Sequence, residues 1–264
     1  MLKLEYVTKV FGKRSINEKV ALNSISLNLE EGEFVTVIGG NGAGKSTLLN
    51  CISGVFGIDG GKILLDGRDI SKAPEYKRSS YIGRVFQDPL MGTAFDMTIE
   101  ENLAMAYAKG KPRGLQPGLV RSDARLLRER LSLLELGLEN RMKEKVGRLS
   151  GGQRQALTLL MATIVRPKLL LLDEHTAALD PSIAARVLKL TDEIVKEDRL
   201  CTLMITHNMK AALDHGTRTI MMHEGKIILD IKGKEREGVT VEWLIEQFSR
   251  KSGTGLDNDR MLLG

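Results

Sequence analysis

Short apolar runs alternate along the chain with longer stretches in which apolar residues recur at helical spacing. The apolar runs are rich in branched residues and predict strands over residues 34–38, 62–65, 81–86, 169–173, 201–206 and 218–223. The helical spacing predicts helices over residues 45–53, 99–108, 122–136, 151–165, 183–197 and 241–248. Strands and helices that alternate in this way predict an α/β fold with a mainly parallel sheet.

The middle of the chain departs from this alternation. Residues 88–165 carry helical patterns and almost no strand signal, so we interpret them as a helical subdomain inserted between two strands of the core. Within it, residues 109–118 are rich in Gly, Pro and basic side chains, which predicts an exposed loop. Residues 249–264 are polar and contain glycine, which predicts a loosely held tail after a domain that spans residues 1–248.

Composition narrows the class of protein. The chain is 42% hydrophobic and 28% charged, as ordinary globular proteins are. Its net charge of +5 does not by itself indicate nucleic acid and is equally compatible with work beside an anionic membrane surface. Only 4% of its residues are aromatic, which leaves few side chains on which single-stranded nucleic acid stacks. We therefore expect no nucleic-acid partner.

Two further features predict a cytoplasmic protein. No apolar run approaches the roughly 20 residues of a membrane span, and the N-terminus has no secretory pattern. Cys51 and Cys201 lie far apart in sequence. In a reducing compartment we expect both to be buried free thiols.

Residues 39–46 fit the pattern G-x-x-x-x-G-K-[ST] between a predicted strand and a predicted helix, the context of a phosphate-binding loop. Glycines let backbone amides point at phosphate oxygens, and the N-terminus of the following helix faces the same anion. Lys45 would add a positive charge at the outer phosphates, Ser46 a hydroxyl ligand for Mg²⁺, and Thr47 a hydroxyl at the inner phosphate. The alternative is a glycine-rich turn that matches by chance. The loop residues expected to bind ATP are Gly39, Asn41, Gly42, Ala43, Gly44, Lys45, Ser46 and Thr47.

An apolar strand over residues 169–173 ends in two acids, Asp173 and Glu174. Ligands of α/β proteins bind at the carboxyl ends of parallel strands. We expect Asp173 to hold Mg²⁺ through water and Glu174 to polarise an attacking water, a contribution of about 10²–10⁴-fold in rate. Alone, the two acids would be read equally well as an acidic turn.

The segment Leu149-Ser150-Gly151-Gly152-Gln153 resembles the signature sequence of ABC ATPases at every position. It also has a simpler physical interpretation, because Ser150 predicts a helix cap and the two glycines leave the helix amides open to an anion. Its place about 20 residues before the acidic strand end favours the signature. In this family, Ser150, Gly151, Gly152 and Gln153 would contact ATP bound to a second subunit.

The resemblance extends over most of the chain and implies further site residues. Gln87 resembles the glutamine that reaches Mg²⁺ and water; the alternative is a surface polar residue. Asp180 resembles the aspartate of the loop at the dimer interface. His207 resembles the histidine that contacts the terminal phosphate; the alternative is a histidine with satisfied hydrogen bonds at a strand end. Phe11 resembles the aromatic that stacks on adenine; the alternative is that Phe11 is core and Tyr6 stacks. The implied catalytic residues are Glu174, His207, Gln87 and Lys45, and the implied metal ligands are Ser46, Gln87 and Asp173.

Two departures from the family pattern lie close to this chemistry. The family commonly has proline where this chain has Gly40 and His175. Gly40 should only loosen the loop. We expect His175 to point into a neighbouring loop; the alternative is that a charged His175 tunes Glu174 by proximity.

The resemblance implies a P-loop NTPase core with an N-terminal antiparallel β subdomain. It implies an ATPase that uses Mg²⁺, assembles as a head-to-tail homodimer around two ATP molecules, and lies at the cytoplasmic face of the membrane. Its partners would be separate permease subunits, docked near residues 92–101, and a solute-binding protein. Residues 97–104 and 173–180 resemble a subgroup that imports small solutes such as amino acids. The alternatives are a soluble ABC ATPase not linked to transport, and a regulatory module without turnover.

Overall fold

The strands predicted from the apolar runs are present, together with four others among the described residues. The structure, a computed structural model, describes residues 1–109 and 121–252. The strands are β1 (Leu2–Phe11), β2 (Lys19–Leu29), β3 (Phe34–Gly39), β4 (Gly60–Leu65), β5 (Arg68–Asp69), β6 (Ile82–Val85), β7 (Leu169–Asp173), β8 (Cys201–Ile205), β9 (Arg218–His223) and β10 (Lys226–Lys232). The α-helices are α1 (Lys45–Ser53), α2 (Glu75–Arg78), α3 (Ile99–Tyr107), α4 (Arg121–Ser132), α5 (Gly151–Thr163), α6 (Pro181–Glu197), α7 (Met209–Asp214) and α8 (Val241–Ser252). Short 3₁₀ turns cover Pro89–Gly92, Leu138–Asn140, Val146–Arg148 and Gly233–Glu235.

These elements pack as two compact units, the first formed by Met1–Ser79 and the chain from Arg199 onward, the second by Ser80–Asp198. In the first unit, β1 pairs antiparallel with β2 and β4, and β4 with β5. β3 runs parallel to β8 and β9, and β10 is antiparallel to β9. The expected α/β fold and its N-terminal antiparallel β subdomain are therefore confirmed.

Strand β3 lies in the core of the first unit, and every one of its residues is buried. Its one hydroxyl residue, Thr36, satisfies its side chain by donating to the carbonyl oxygen of Ala212 at 3.0 Å and by pairing with Thr219 Oγ1 at 2.9 Å. Ile38 packs in a core cluster with residues of β9, β10, α7 and α8, among them Phe248. This packing fixes the carboxyl end of β3, where the glycine-rich loop begins.

In the second unit, β6 runs parallel to β7. Helices α3, α4 and α5 share one apolar core that includes Leu103, Leu131 and Leu157. Among its described residues, the stretch 88–165 contains helices and 3₁₀ turns and no strand. Its helical character agrees with the prediction, whereas its bounds as a subdomain stay a prediction.

Several predicted boundaries differ from the observed ones by one or two residues, and three differences change the description of a segment. Helix α4 ends at Ser132 and not at residue 136, because Glu135 and Gly137 adopt left-handed φ angles of 53° and 70°. Helix α8 continues through Ser252, four residues into the predicted tail, whose remainder lies outside the described residues. Lys109 is half-buried and donates to the carbonyl oxygen of Ile82 at 3.1 Å, so it is not part of an exposed loop. Residues 110–118 of that predicted loop lie outside the described part of the chain.

Within the described residues, no helix combines the length and the apolar character that a bilayer span requires.

Candidate active site

The phosphate-binding loop joins β3 to α1 in the first unit. Gly39, Gly42 and Gly44 have φ angles of 146°, 75° and 99°, in a region that residues with a Cβ disfavour. Gly44 also lies against β2, where a Cβ would collide with the carbonyl oxygen of Ala21. The turn therefore requires glycine, and it places the first amides of α1, which have no helical partner, at the end of the loop.

Lys45, the first residue of α1, is buried, and its ammonium group lies against the loop. Its Nζ donates to the carbonyl oxygens of Gly39 at 2.7 Å and Gly40 at 3.0 Å. Ser46 is exposed and Thr47 is half-buried. The loop thus gathers an ammonium group, a helix N-terminus and two hydroxyls, a combination that suits a phosphate anion.

His207 follows β8 at the same sheet edge. β3 and β8 are parallel, with Val37 opposite Ile205, so their carboxyl ends lie side by side. The amide of Thr206 donates to the carbonyl oxygen of Val37 at 3.1 Å. Asn208 then caps α7 with its side chain. His207 is half-buried between a strand end and a helix cap, next to the strand that enters the loop.

Phe11 ends β1 and is 36% exposed, which excludes a fully buried core position. Its ring lies edge-to-face on Phe56, with the centroids 5.3 Å apart, and Lys9 Nζ is 5.2 Å from the centroid of Phe11. Tyr6, the alternative stacking residue, is 71% exposed and lies in the middle of β1. Adenine stacking by Phe11 stays a proposal.

In the second unit, Asp173 ends β7 and is half-buried. Arg84, on the parallel strand β6, places Nη2 3.5 Å from Asp173 Oδ2. The same guanidinium lies over the ring of Phe86, 4.6 Å from its centroid. The sequence reasoning missed Arg84, although a charged residue inside an apolar strand was a signal that it meets a partner.

Glu174 has a left-handed φ of 46°, which is uncommon for a residue with a Cβ. The next side chain, His175, is buried, and its Nε2 lies 3.2 Å from Thr191 Oγ1. The Thr191 hydroxyl donates to the carbonyl oxygen of Val187 at 2.8 Å, so it accepts the bond from His175. This bond therefore runs to a helix, whereas the expected contact was with a neighbouring loop. His175 is tied to helix α6 because a buried imidazole needs a partner and Thr191 supplies one.

Gln87 is exposed just after β6. The residue before it is held by α5, since the side-chain amide of Gln155 donates to the carbonyl oxygen of Phe86 at 3.2 Å. Gln155 is fully buried, and its Oε1 has no partner among the described residues. This residue was also missed; the available signal was a polar side chain on the apolar face of the helix predicted over residues 151–165.

Ser150 caps α5 as predicted. Its Oγ accepts from the amide of Gln153 at 3.3 Å, and Gln153 Oε1 accepts from the amide of Ser150 at 3.2 Å. Gly152 is buried, and a Cβ there would collide with Ile183 of α6. The signature therefore has a structural role inside one chain, in addition to any contact with nucleotide.

The segment before α6 lies against the signature. Leu179 Cδ2 would be 3.5 Å from a Cβ placed on Gly151. Asp180 is exposed, and it is the N-cap residue of α6 ahead of Pro181, yet its side chain makes no capping bond. Its carboxylate is thus not used to begin the helix.

The predicted site residues fall into two sets. Phe11, the glycine-rich loop and His207 belong to the first unit, where parallel strands place the loop and His207 at one sheet edge. Gln87, the two acids, the signature and Asp180 belong to the second. Among the described residues, no cluster of three or more His, Cys, Asp or Glu forms a metal site.

The comparisons with known proteins identify the class of this chain. Residues 22–177 match the family model for the ABC transporter. The chain is 47% identical to the tyrosine transport ATP-binding protein of Clostridioides difficile, over 94% of this chain and 98% of that one. It is 37% identical to the methionine import ATP-binding protein of Rhizobium johnstonii, over 82% of this chain and 58% of that one. The chain belongs to the ABC transporter family.

Solved structures agree with this assignment. The ATP-binding cassette MJ0796, in a dimeric post-hydrolysis state bound to ADP and Pi, superimposes with a TM-score of 0.75 at 30% identity, over 88% of this chain and 98% of that chain. The present chain is the ATP-binding subunit of a transporter and an ATPase with a P-loop NTPase fold. The predicted family, fold class and activity are thereby confirmed.

Proposed function

We propose that this ATPase drives the import of a small solute, an amino acid such as tyrosine, through separate permease subunits. The observation that carries the proposal is the 47% identity, over nearly the full length of both chains, to a protein named for tyrosine transport. Relatives named for import of methionine and of sulfate or thiosulfate support the direction of transport. The subunit would lie at the cytoplasmic face of the membrane, in a complex that includes a solute-binding protein.

For ATP itself, the loop geometry supports the predicted roles. The amides of residues 39–46 and the ammonium group of Lys45 would hold the phosphates, and Phe11 would stack on adenine. Glu174 would accept a proton from water as the water oxygen attacks the γ-phosphorus and the bond to the β-phosphate oxygen breaks. His207 would contact the terminal phosphate.

The donor set fits Mg²⁺, which prefers oxygen ligands. Ser46 offers a hydroxyl, Gln87 an amide oxygen and Asp173 a carboxylate, and the first two are exposed. When bound, the ion would neutralise negative charge on the transferred phosphoryl group. Arg84 already balances the carboxylate charge of Asp173 in this structure.

A second copy of the chain would complete each ATP site. Ser150 and Gly151 are exposed at the N-terminus of α5, where amides and a hydroxyl can reach a phosphate on another subunit. The dimeric ATP-binding cassette structure supports dimerisation, and the head-to-tail arrangement is part of the proposal. Closing would follow ATP binding, and opening would follow hydrolysis, as a ligand-driven population shift.

The permease would dock on the segment that follows Gln87. Leu90, Met91 and Phe95 are 47%, 68% and 48% exposed, which is unusual for large apolar side chains lying close in sequence. The segment is bonded to the chain ahead of the signature, because the amide of Gly147 donates to the carbonyl oxygen of Phe95 at 2.9 Å. A permease that moves this segment would therefore act directly on the residues leading into α5.

The dimer is tested with Glu174→Gln, which keeps the side-chain shape and removes the base. In ATP and Mg²⁺ it should elute as a stable dimer on size exclusion and release phosphate about 10²–10⁴-fold more slowly than the parent. Glu193→Gln, the same change at an exposed position on α6, should do neither. A Glu174→Gln protein that stays monomeric would contradict the proposed dimer.

Transport is tested in proteoliposomes that contain candidate permease subunits together with this chain. Labelled tyrosine should accumulate with ATP and should not accumulate with Glu174→Gln. If the rate of phosphate release is the same with and without the permease, and no amino acid accumulates, the result would instead support a soluble ABC ATPase not linked to transport.

A further inference from the structure

Strand β2 begins alongside the phosphate-binding loop. The carbonyl oxygen of Ala21 lies so close to Gly44 that a Cβ there would collide with it. Lys19 is two residues earlier on the same strand. A Cβ placed on Gly42 would lie 3.7 Å from Lys19 Nζ. The start of β2 therefore approaches the loop at two points, Ala21 at Gly44 and Lys19 at Gly42, and Lys19 brings an ammonium group.

The register of β1 and β2 gives this ammonium group a second neighbour. Lys19 lies opposite Phe11, the last residue of β1. Phe11 is the proposed adenine-stacking residue, and Gly42 belongs to the loop that holds phosphates. Lys19 thus lies between the base end and the phosphate end of the proposed nucleotide site.

The acidic side chains near Lys19 are bonded to other groups, so its ammonium group is available to bind a ligand. Asp59 is occupied by two other lysines, with Lys13 Nζ at 2.9 Å and Lys9 Nζ at 3.5 Å from its carboxylate oxygens. Glu18 accepts from the amide of Arg14 at 2.8 Å. Lys19 is exposed, and its side chain makes no hydrogen bond or ion pair with any residue in 1–109 or 121–252.

We propose that Lys19 is a second phosphate-binding cation, which contacts the phosphate nearest the ribose of a nucleotide held on the glycine-rich loop. This inference rests on the proposed roles of the loop and of Phe11. Lys45 would serve the outer phosphates and Lys19 the inner one, so Lys19 should act on ATP and ADP alike. The binding affinity for a nucleoside, which has no phosphate, should not depend on Lys19.

Lys19→Met tests the assignment because it keeps the length of the side chain and removes the charge. Calorimetric titration should show the Kd for ATP and for ADP rising by about 5–20-fold, because a charge-assisted hydrogen bond is lost at an exposed position. The Kd for adenosine should not change. Lys19→Arg should restore most of the affinity, and the effect should shrink in 0.5 M salt as charges are screened.

Lys62→Met is the matched control, since it removes the same charge from β4, which pairs with β1 on the side away from β2. It should bind ATP as the parent does. Unchanged ATP and ADP affinity in Lys19→Met, with binding abolished in Lys45→Ala, would overturn the role of Lys19 and leave the proposed function standing. An equal loss for adenosine and ATP would also overturn it, because Lys19 would then act on the base. A parent protein that binds no ATP would overturn the proposed function and this inference together.

Discussion

At the scale of single residues, the pKa values and hydrogen bonds of buried ionisable groups reflect their local environment most clearly. Cys51 and Cys201 are buried free thiols, as the sequence predicted. Burial raises the pKa of Cys51 to about 11 and that of Cys201 to about 12, because the apolar surroundings disfavour a thiolate. Neither thiol is suited to be a nucleophile at neutral pH.

This raised pKa predicts a loss of stability in alkali. Unfolded thiols lose their protons near pH 9.0, whereas folded Cys51 keeps its proton to about pH 11. Between pH 9 and pH 11 the folded state binds more protons than the unfolded state. The contribution of the thiol to the free energy of unfolding is therefore complete below pH 9 and is lost as the pH rises towards 11. Each thiol should lower the free energy of unfolding by about 1.4 kcal/mol per pH unit there. Urea unfolding between pH 8 and 10.5 should show a shallower decline in Cys51→Ala than in the parent; equal slopes would refute the assignment.

Arg78 is a further buried ionisable group, and its bonds shape the local structure. It is 1% exposed, and its Nη1 donates to the carbonyl oxygens of Cys51 and Ile52, each at 2.8 Å. Its Nε donates to the carbonyl oxygen of Ala73 at 2.8 Å. A cation thus closes the last turn of α1, where carbonyl groups lack helical partners and the helix dipole is negative.

Arg78→Met should therefore destabilise the protein by about 3 kcal/mol, because several buried carbonyl groups lose their donor at once. Chemical denaturation without nucleotide measures the change in the free energy of unfolding. The control is Arg68→Met on β5, where the parent side chain is exposed and the expected change is within about 0.5 kcal/mol. Equal effects of the two substitutions would contradict the capping role.

At the scale of elements, α3 and α5 begin in the same way. Each opens with a capping box, Thr98 with Glu101 in α3 and Ser150 with Gln153 in α5. Only the α5 box lies in the signature. The pair separates what a cap contributes to folding from what Ser150 is proposed to contribute to ATP binding between subunits.

Ser150→Ala and Thr98→Ala should each lower the free energy of unfolding by about 1 kcal/mol in the absence of nucleotide, since each removes one N-cap. In the Glu174→Gln background with ATP and Mg²⁺, only Ser150→Ala should weaken the dimer. Sedimentation velocity measures the dimer fraction. If Thr98→Ala weakened it equally, the role of Ser150 would be structural alone.

At the scale of the whole molecule, the effect of nucleotide on thermal stability tests the proposed site. A ligand that binds only the folded state stabilises that state by mass action. At a ligand concentration of 100 Kd the free energy of unfolding rises by about 2.7 kcal/mol. The Tm should therefore rise with ATP and Mg²⁺, rise less when EDTA removes the ion, and stay unchanged in Lys45→Ala. A shift in Lys45→Ala as large as in the parent would place ATP elsewhere.

The sequence alone determined the parts that depend on local pattern. The spacing of glycine, lysine and serine between an apolar run and a helical pattern located the phosphate-binding loop, because strand, turn and helix cap are all encoded within about a dozen neighbouring residues. The predicted strand over residues 169–173 and the predicted helix over residues 45–53 agree with β7 and α1 to the residue. Ser150 was recognisable as a cap for the same reason.

Only the tertiary structure decided which partner each buried polar group meets. Arg84 pairs with Asp173, Gln155 donates a hydrogen bond to the carbonyl group of Phe86, and His175 bonds to a threonine on α6. Lys19, an ordinary exposed lysine in the sequence, lies beside the loop only because β2 runs along it. The physical reason is that periodicity reports which face of an element is buried, whereas the partner of a polar atom depends on how distant elements pack against that face.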